Sequence, residues 1–288
     1  MPAGGRPTVR SRRLGAALKR HRLAAKLDQL QAAAVIEAST AKISRIESGH
    51  VTARVVDIRL LLDAYGVTDP GVRARLEDLS RKANRRGWWL EHAAHLRADY
   101  LDHIALEDDA TYIREWQPVI FPGLLQTPAY AEAAITAGAS YIDPERVAHL
   151  VKARQLRQAK IEPGEATYTA ILWEPVIVHP LVDGEIHRAQ LGAVLDVSKR
   201  KNVTVQVLPF SAGVLAGISE FSSFSFDSDP MVEAVTMENL RGTSILEDPD
   251  DLSAYANAFD QLRSAALAPE ESAQLIRRVL RRSKEDAK

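Results

Sequence analysis

Cysteine is absent from the 288 residues of this chain. Its absence excludes disulfide bonds, catalysis by a thiolate, and zinc or iron–sulfur sites with cysteine ligands. Long apolar runs are missing as well, since no stretch approaches the roughly 18 residues that a membrane-spanning helix needs. The first residues also lack the apolar segment of a secretory signal peptide, so we expect a cytoplasmic protein.

Charge is unevenly distributed along the chain. Residues 1–86 contain 18 Lys and Arg but only 8 Asp and Glu, a formal charge of +10, although the whole chain carries −1. The remaining residues are therefore acidic. Basic charge concentrated on a short segment suits the phosphate backbone of nucleic acid, and binding of that kind weakens as salt rises. With 46% hydrophobic residues, the chain is long enough for two folded domains.

Between Leu27 and Gly49 the sequence predicts two short amphipathic helices with a tight turn between them. Asp28 is a suitable N-cap for the first helix and Ser39 for the second, while Gly49 favours the left-handed conformation that ends a helix. Apolar residues at helical spacing predict one buried face: Ala32, Ala33, Ile36, Ile43 and Ile46. This pattern is typical of a helix-turn-helix, whose second helix enters the major groove of DNA.

Neighbouring segments predict the further helices that two short helices need in order to bury their apolar faces. A following helix is predicted from the cap at Thr52 to Gly66. A preceding helix is marked by Leu14, Leu18 and Leu23. We therefore predict three parts: an N-terminal arm and all-helical DNA-binding domain over 1–68, a connector helix over 69–87, and a second domain over 88–288.

Two sets of residues carry a resemblance to a known family. In the helix pair they are Leu27, Gln29, Ala33, Ser39, Lys42, Ile43, Ser44, Arg45, Ile46, Glu47 and Gly49. Beyond it they are Trp88 and Trp89, VIFPGLLQTPAYA at 119–131, NVTVQVLPF at 202–210 and LEDPDD at 246–251. Together these motifs resemble the phage-repressor-like (XRE) regulators of actinobacteria. The resemblance implies a helix-turn-helix domain followed by the uncharacterised C-terminal domain of that family.

One residue departs from the family pattern. Glu37 stands in the turn where the family usually has glycine, and a non-glycine residue in a left-handed conformation is strained. A carboxylate facing DNA would also oppose the phosphates. We therefore expect Glu37 to face solvent.

The start of the second helix is expected to lie deepest in the major groove. Lys42 is placed to donate to guanine, while Ala41 and the methyl group of Thr40 are placed to pack on thymine. The resemblance implies that Gln29 contacts a phosphate. The predicted DNA-binding residues of the helix pair are Gln29, Ser39, Thr40, Ala41, Lys42, Ser44 and Arg45.

Several arginines near the start of the chain predict an N-terminal arm: Arg6, Arg10, Arg12 and Arg13. Such arms lie over the DNA backbone or in the minor groove. A disordered and solvated tail is an equal alternative.

Residues 88–288 alternate between predicted helices and strands. Cap-and-proline pairs open helices at Thr127–Pro128, Asp143–Pro144 and Asp248–Pro249, and further helices are predicted over 185–198 and near Pro269. Period-two alternation predicts strands over 167–173, 203–208, 221–227 and 231–237. This order favours an α+β domain with a small mixed or antiparallel sheet.

Three groups of residues in the second domain are candidate sites, and for each the structural interpretation is favoured. A metal site is suggested by His92, His95, Asp99 and His103, but no complete ligand set is fixed, so we expect no metal. Acid–base chemistry is suggested by Glu174, His179, Asp183, Glu185 and His187, but no nucleophile or phosphate-loop motif accompanies them. A ligand pocket is suggested by Trp88, Trp89, Trp116 and Trp173, but large aromatics usually pack in cores.

We therefore predict a sequence-specific regulator of transcription that binds double-stranded DNA at the nucleoid and needs no cofactor. One small DNA-binding module rarely reaches operator affinity, so we expect a homodimer held together by the second domain. For the signal, the resemblance implies a small protein partner in an antitoxin-like arrangement more than a small-molecule effector. The alternative is a DNA-targeted, hydrolase-like enzyme with catalysis in the second domain.

Overall fold

Two units of different construction make up the chain. The units are Met1–Leu90 and Glu91–Lys288. The described residues of the first unit form helices, whereas those of the second combine helices with a mixed sheet, as the sequence predicts for the two parts. The computed structural model describes residues 7–84, 87–138, 142–226, 231–239 and 241–285. In these ranges, no helix is both long enough and apolar enough to cross a membrane.

The described part of the first unit is a bundle of short helices around one apolar core. Leu18, Ile43 and Ile58 are at most 1% exposed in that core, and they come from three different helices. Each helix hides one apolar face against the others, which supplies the stability that short helices lack in isolation. The helices are α1 (Val9–Ala24), α2 (Gln29–Val35), α3 (Thr40–Glu47), α4 (Val55–Ala64) and α5 (Pro70–Asn84).

Local capping fixes where the second and third helices begin. The Asp28 side chain accepts from the backbone N–H of Gln31, whose side chain reaches back to Asp28 N in a capping box. Ser39 caps α3, as predicted. The helix expected to start at a Thr52 cap instead begins at Val55. Thr52 Oγ1 is hydrogen-bonded to a serine hydroxyl of α1 at 3.3 Å and does not cap α4.

The segment predicted as a connector is an integral part of the first unit. Leu76 of α5 is buried in the core of that unit. Ser80 is fully buried, and its hydroxyl donates to the Ala53 carbonyl at 2.7 Å. The first unit consequently extends to Leu90 rather than ending at residue 68, because α5 supplies one wall of its core.

The second unit begins with a helix and then alternates between helices and strands before it ends in two helices. The strands are β1 (Tyr112–Gln117), β2 (Thr167–Trp173), β3 (Val203–Leu208), β4 (Phe221–Ser225), β5 (Ala234–Asn239) and β6 (Gly242–Leu246). The helices are α6 (Ala98–Asp109), α7 (Pro128–Thr136), α8 (Pro144–Arg157), α9 (Glu174–Val178), α10 (Gly184–Val197), α11 (Pro249–Ala265) and α12 (Pro269–Glu285).

The six strands form one sheet in the order β3-β2-β1-β4-β5-β6. The first three pair in parallel and the remaining pairings are antiparallel, so the sheet is mixed. At its centre Trp116 lies opposite Ile171 of β2 and Phe221 of β4. These three residues share an apolar core with Phe259 of α11.

The central strand β1 is one that the alternation pattern does not predict. Its Glu115 side chain is buried and accepts from the hydroxyl of Tyr168 on β2 at 2.7 Å. Burial raises the pKa of Glu115. Two charged residues, Arg114 and Glu115, are adjacent in the middle of the strand, and such a sequence is typical of a polar loop. The alternation pattern does not predict strand β6 either, since each of its residues is only half-buried.

A buried ion pair joins α6 to α8 behind the sheet. Arg157 Nη2 lies 2.6 Å from Glu107 Oε2, and both side chains are at most 5% exposed. Tyr100 OH and His103 Nε2 complete the contacts of the guanidinium at 2.7 and 3.0 Å. Burial by itself would raise the pKa of Glu107, but the charge and hydrogen bonds of Arg157 and His103 lower it to about 2.

We expect Arg157→Met to reduce the free energy of unfolding of the second unit by about 3–5 kcal/mol, because it leaves the Glu107 charge buried without its partner. Urea denaturation followed by circular dichroism measures the change. Lys199→Met is the matched control, since Lys199 pairs with Asp196 at the surface and its removal should cost less than about 1 kcal/mol. Equal effects of the two substitutions would contradict the structural role of the buried pair.

Candidate nucleic-acid interface

Helices α2 and α3 are joined by a turn in which the chain takes a left-handed conformation. Glu37 has φ of +48° and is exposed, as its position in the turn predicts. The turn is closed by Ala38 N, which donates to the Ala33 carbonyl at 2.9 Å. The strain of a non-glycine residue here is of the order of 1–3 kcal/mol, and the packed helices on either side maintain it.

Helix α3 has one face in the core and another exposed. Ile43 and Ile46 are at most 2% exposed and fix the buried face. The exposed residues include four of the predicted DNA-binding positions: Thr40, Ala41, Ser44 and Arg45. Gly49 ends this region with φ of +77°, as predicted, and a Cβ there would meet the backbone of Arg12 at 2.8–2.9 Å.

Lys42 differs from its neighbours on α3 because it already has a partner. Its Nζ lies 3.5 Å from Asp57 Oδ2 of α4, and 37% of its side chain is exposed. Asp57 is buried and is also held by Arg54 through two hydrogen bonds of 3.1 and 2.8 Å. The long contact and the exposure of Lys42 mean that its ammonium group is tethered only weakly.

A second ion pair anchors the other end of α3. Glu47 accepts from Arg22 Nε and Nη2 at 2.5 and 3.0 Å, and both side chains are at most 6% exposed. Arg22 Nη1 also donates to the Leu27 carbonyl at 2.7 Å. Glu47 therefore ties the last turn of α3 to the end of α1 and to the loop that leads into α2.

Gln29 contacts the same ion pair of Arg22 and Glu47. Its Nε2 donates to Glu47 Oε2 at 2.9 Å. Burial alone would raise the pKa of Glu47, but the hydrogen bonds from Arg22 and Gln29 lower it. The Glu47 carboxylate is consequently charged at neutral pH. It holds the end of α3 and also positions Gln29, the residue expected to contact a phosphate.

Close contact between α1 and α3 depends on Gly15. A Cβ at this position would lie 2.3 Å from the Ile46 carbonyl oxygen and 2.6 Å from that of Glu47. Both neighbours are backbone atoms of α3 and its end, so neither can turn aside. The glycine thus lets α1 reach the anchored end of α3, a requirement that helix periodicity does not reveal.

The predicted arginine arm is a helix over most of its length. Arg10, Arg12 and Arg13 belong to α1, because Thr8 caps that helix and it begins at Val9. Arg10 is 6% exposed, and its guanidinium carbon lies 4.8 Å from the ring centre of Trp89. Both the arm and the disordered tail are therefore wrong for Arg10, Arg12 and Arg13, because these residues belong to a helix whose apolar side packs in the core of the first unit. Arg6 lies outside the described residues.

Four of the five residues weighed for acid–base chemistry in the second unit have separate structural contacts, and the fifth, His179, is exposed. Glu174 accepts from the backbone N–H of Phe210, and Asp183 caps α10. Glu185 pairs with an arginine of its own helix, while His187 Nε2 is hydrogen-bonded to the Ile177 carbonyl. These contacts do not assemble a nucleophile with a base.

The tryptophans pack as core and contact residues. Trp116 is fully buried beside Phe221, and its indole N–H donates to the Ile218 carbonyl at 2.8 Å. Trp89 is 5% exposed, and Trp173 packs against the sheet core. A polar cavity of about 40 Å³ lies in the second unit, beside Arg157 and Glu115. Its volume suits a few water molecules and is far below the roughly 300 Å³ of a typical small-molecule site.

The four residues weighed for a metal lie in three different environments. His92 and His95 meet His149 of α8, a residue that the sequence did not connect with them. Asp99 instead accepts from Arg97 and from the Thr243 backbone. The remaining histidine, His103, is hydrogen-bonded in the interior to a threonine of β5.

Comparison with known families gives one match in each unit. Residues 13–76 match a helix-turn-helix domain, and residues 100–278 match a domain of unknown function (DUF5753). No curated protein and no solved structure matches the chain. The first match includes all of α2 and α3. It therefore covers the exposed face of α3 and the ion pair of Arg22 and Glu47 that holds this helix.

We expect Glu47→Gln to lower the free energy of unfolding of the first unit by about 3–5 kcal/mol at neutral pH, since Arg22 is left buried without a counter-charge. The pKa of Glu47 is lowered from 4.5, so this contribution is complete above pH 4.5 and disappears as the pH falls through the lower folded value. The difference between wild type and variant should shrink accordingly.

Urea denaturation at a series of pH values measures this difference. Glu37→Gln is the matched control because Glu37 is exposed, and it should have little effect at any pH. A wild-type advantage that stays constant from neutral to acidic pH would show that the charge of Glu47 does not stabilise the unit.

Proposed function

The chain belongs to the DUF5753 family, and because it also carries a helix-turn-helix domain, we propose that it is a sequence-specific DNA-binding regulator of transcription of the XRE type. The observation that carries this proposal is the division of α3 into an anchored face and an exposed face. Exposed positions on a rigidly held helix are what base recognition in the major groove requires.

The side chains at the start of α3 are assigned to the bases. Thr40 and Ala41 are exposed in its first turn, and their methyl groups fit thymine. Lys42 follows and donates to guanine after leaving Asp57. The periphery of this contact between α3 and the major groove is assigned to Ser39, Ser44 and Arg45.

Gln29 is assigned to a phosphate beside the groove. A side-chain amide has two N–H donors, and only one is needed for the hydrogen bond to Glu47. The second N–H remains for a phosphate oxygen. Such contacts fix the register of the protein on DNA without selecting a sequence.

The second unit is assigned to dimerisation and to reception of a signal rather than to catalysis. Two copies on half-sites about one DNA turn apart would give the affinity that one module lacks. A small protein partner in an antitoxin-like arrangement is favoured over a small-molecule effector, because the resemblance to the XRE regulators implies such a partner. Association with the nucleoid follows from DNA binding.

We expect Thr40→Ala or Lys42→Ala to weaken binding to the preferred site by about 1–3 kcal/mol for each base interaction that the substitution removes, with little change on random DNA. Replacement of Ala41 with glutamate should abolish the preference through bulk and charge. The preferred site is first selected from a random DNA pool, and affinities are then measured by fluorescence anisotropy. Lys201→Ala removes an exposed lysine of the second unit and should change neither affinity. Unaltered binding of the α3 variants to the selected site would refute the assignment.

The arginines of α1 give a separate prediction about salt. Replacing Arg12 and Arg13 with alanine should weaken binding to all sequences alike and reduce the salt slope of log K by about one for each phosphate that is no longer neutralised. Affinities at several salt concentrations measure the slope. Arg10→Met serves as the contrast, because Arg10 is buried over Trp89 and its replacement should lower stability while the slope stays the same. An unchanged slope in the double variant would remove Arg12 and Arg13 from the interface.

A further inference from the structure

Three potential metal ligands converge in the second unit: His95, Glu145 and His149. One ligand atom from each lies within 4.8 Å of the other two. His95 and His149 are half-buried, while Glu145 is exposed. Such a group of two imidazoles and a carboxylate lies outside every role assigned to the chain above.

The backbone brings these side chains together from distant parts of the sequence. Glu145 and His149 are four residues apart on α8, so they share one face of the helix. His95 lies in the turns that precede α6. Its carbonyl accepts from Arg146 Nε at 3.1 Å, and this hydrogen bond holds the turn on α8.

The rings are arranged by contacts with one another. His95 and His149 are stacked, with centroids 3.7 Å apart and planes at 6°. Nδ1 of His92 lies 3.0 Å from Nδ1 of His149. This contact ties the orientation of the His149 ring to His92.

We propose that His95, Glu145 and His149 bind a divalent transition-metal ion of the zinc class, with His92 as a positioning residue. Two histidines and one glutamate form a known zinc donor set in which the fourth ligand is water or another external group. A tetrahedral zinc ion separates its ligand atoms by about 3.4 Å, so the longest ligand-to-ligand distance has to shorten by up to about 1.4 Å. The lone pair of an imidazole nitrogen lies in the plane of its ring, and the stacked rings of His95 and His149 have nearly parallel planes. At least one of these rings therefore has to turn out of the stack to reach the ion, and the exposed Glu145 side chain rotates to meet it.

His92 and the local charge set the expected strength of the site. A hydrogen bond to the ring of a ligating histidine fixes its orientation, and His92 already makes one to His149. Arg146 and Lys152 lie close to the cluster and oppose added positive charge, whereas Glu91 favours it. With three protein ligands at a solvent-accessible position, zinc should bind more weakly than in an enclosed four-ligand site.

Zinc binding to the tag-free full-length chain tests the proposal. After treatment with EDTA and its removal, isothermal titration with ZnCl₂ should give one saturable site per chain. Co²⁺ should give the visible absorption bands of a four-coordinate ion, and zinc should raise the melting temperature. His95→Ala and His149→Ala should each weaken zinc binding at least tenfold.

Matched variants separate the site from zinc bound at the surface. His179→Ala removes an exposed histidine of the same unit and should leave the affinity for zinc unchanged. Glu145→Gln changes only an exposed side chain, so it carries the test even where a histidine variant folds poorly. Circular dichroism checks the fold of each variant. Absence of a saturable site, or wild-type affinity in Glu145→Gln and both histidine variants, would overturn the proposal.

Discussion

The ion pair between Arg22 and Glu47 is the constraint on which the geometry of the first unit depends. It closes the end of α3 onto α1, and its bidentate contact excludes other orientations of the carboxylate. Two charges removed from water contribute little net stability, but each is costly without the other. The pair therefore specifies one arrangement of the helices more than it strengthens the core. Gly15 permits the same arrangement sterically, because it admits the backbone of α3 against α1.

Local rules account for much of what the sequence revealed about this unit. Asp28, Ser39 and Gly49 act over three or four residues, so the boundaries of α2 and α3 could be predicted directly. Residues whose environment is tertiary could not be predicted in this way. Arg10 looks like part of a basic tail until Trp89 is placed beside it. Likewise α5 reads as a connector because the carbonyl that receives the Ser80 hydroxyl lies 27 residues away in sequence.

In the second unit the α+β class and most helices were predictable, but the sequence left a mixed and an antiparallel sheet as alternatives, and the central strand was not predicted. Strand β1 carries a carboxylate whose short hydrogen bond in the interior comes from Tyr168, 53 residues later. Alternation of apolar and polar residues cannot detect such a compensation. The histidine cluster has the same origin. His92 and His95 are related by their spacing, whereas His149 becomes their neighbour only when α8 folds back.

The contact between Lys42 and Asp57 gives the proposed recognition helix an internal competitor. Without DNA, the ammonium group rests on a carboxylate of its own chain, and a base edge has to offer more than that carboxylate does. Because the contact between Lys42 and Asp57 is 3.5 Å long, it is weak, so a base has to bind the ammonium group only slightly more strongly. Arg54 keeps the vacated carboxylate paired, so the lysine leaves no uncompensated charge behind. Lys42 thus exchanges one acceptor, the Asp57 carboxylate, for another on a base. A DNA sequence without a suitable acceptor leaves Lys42 bound to Asp57.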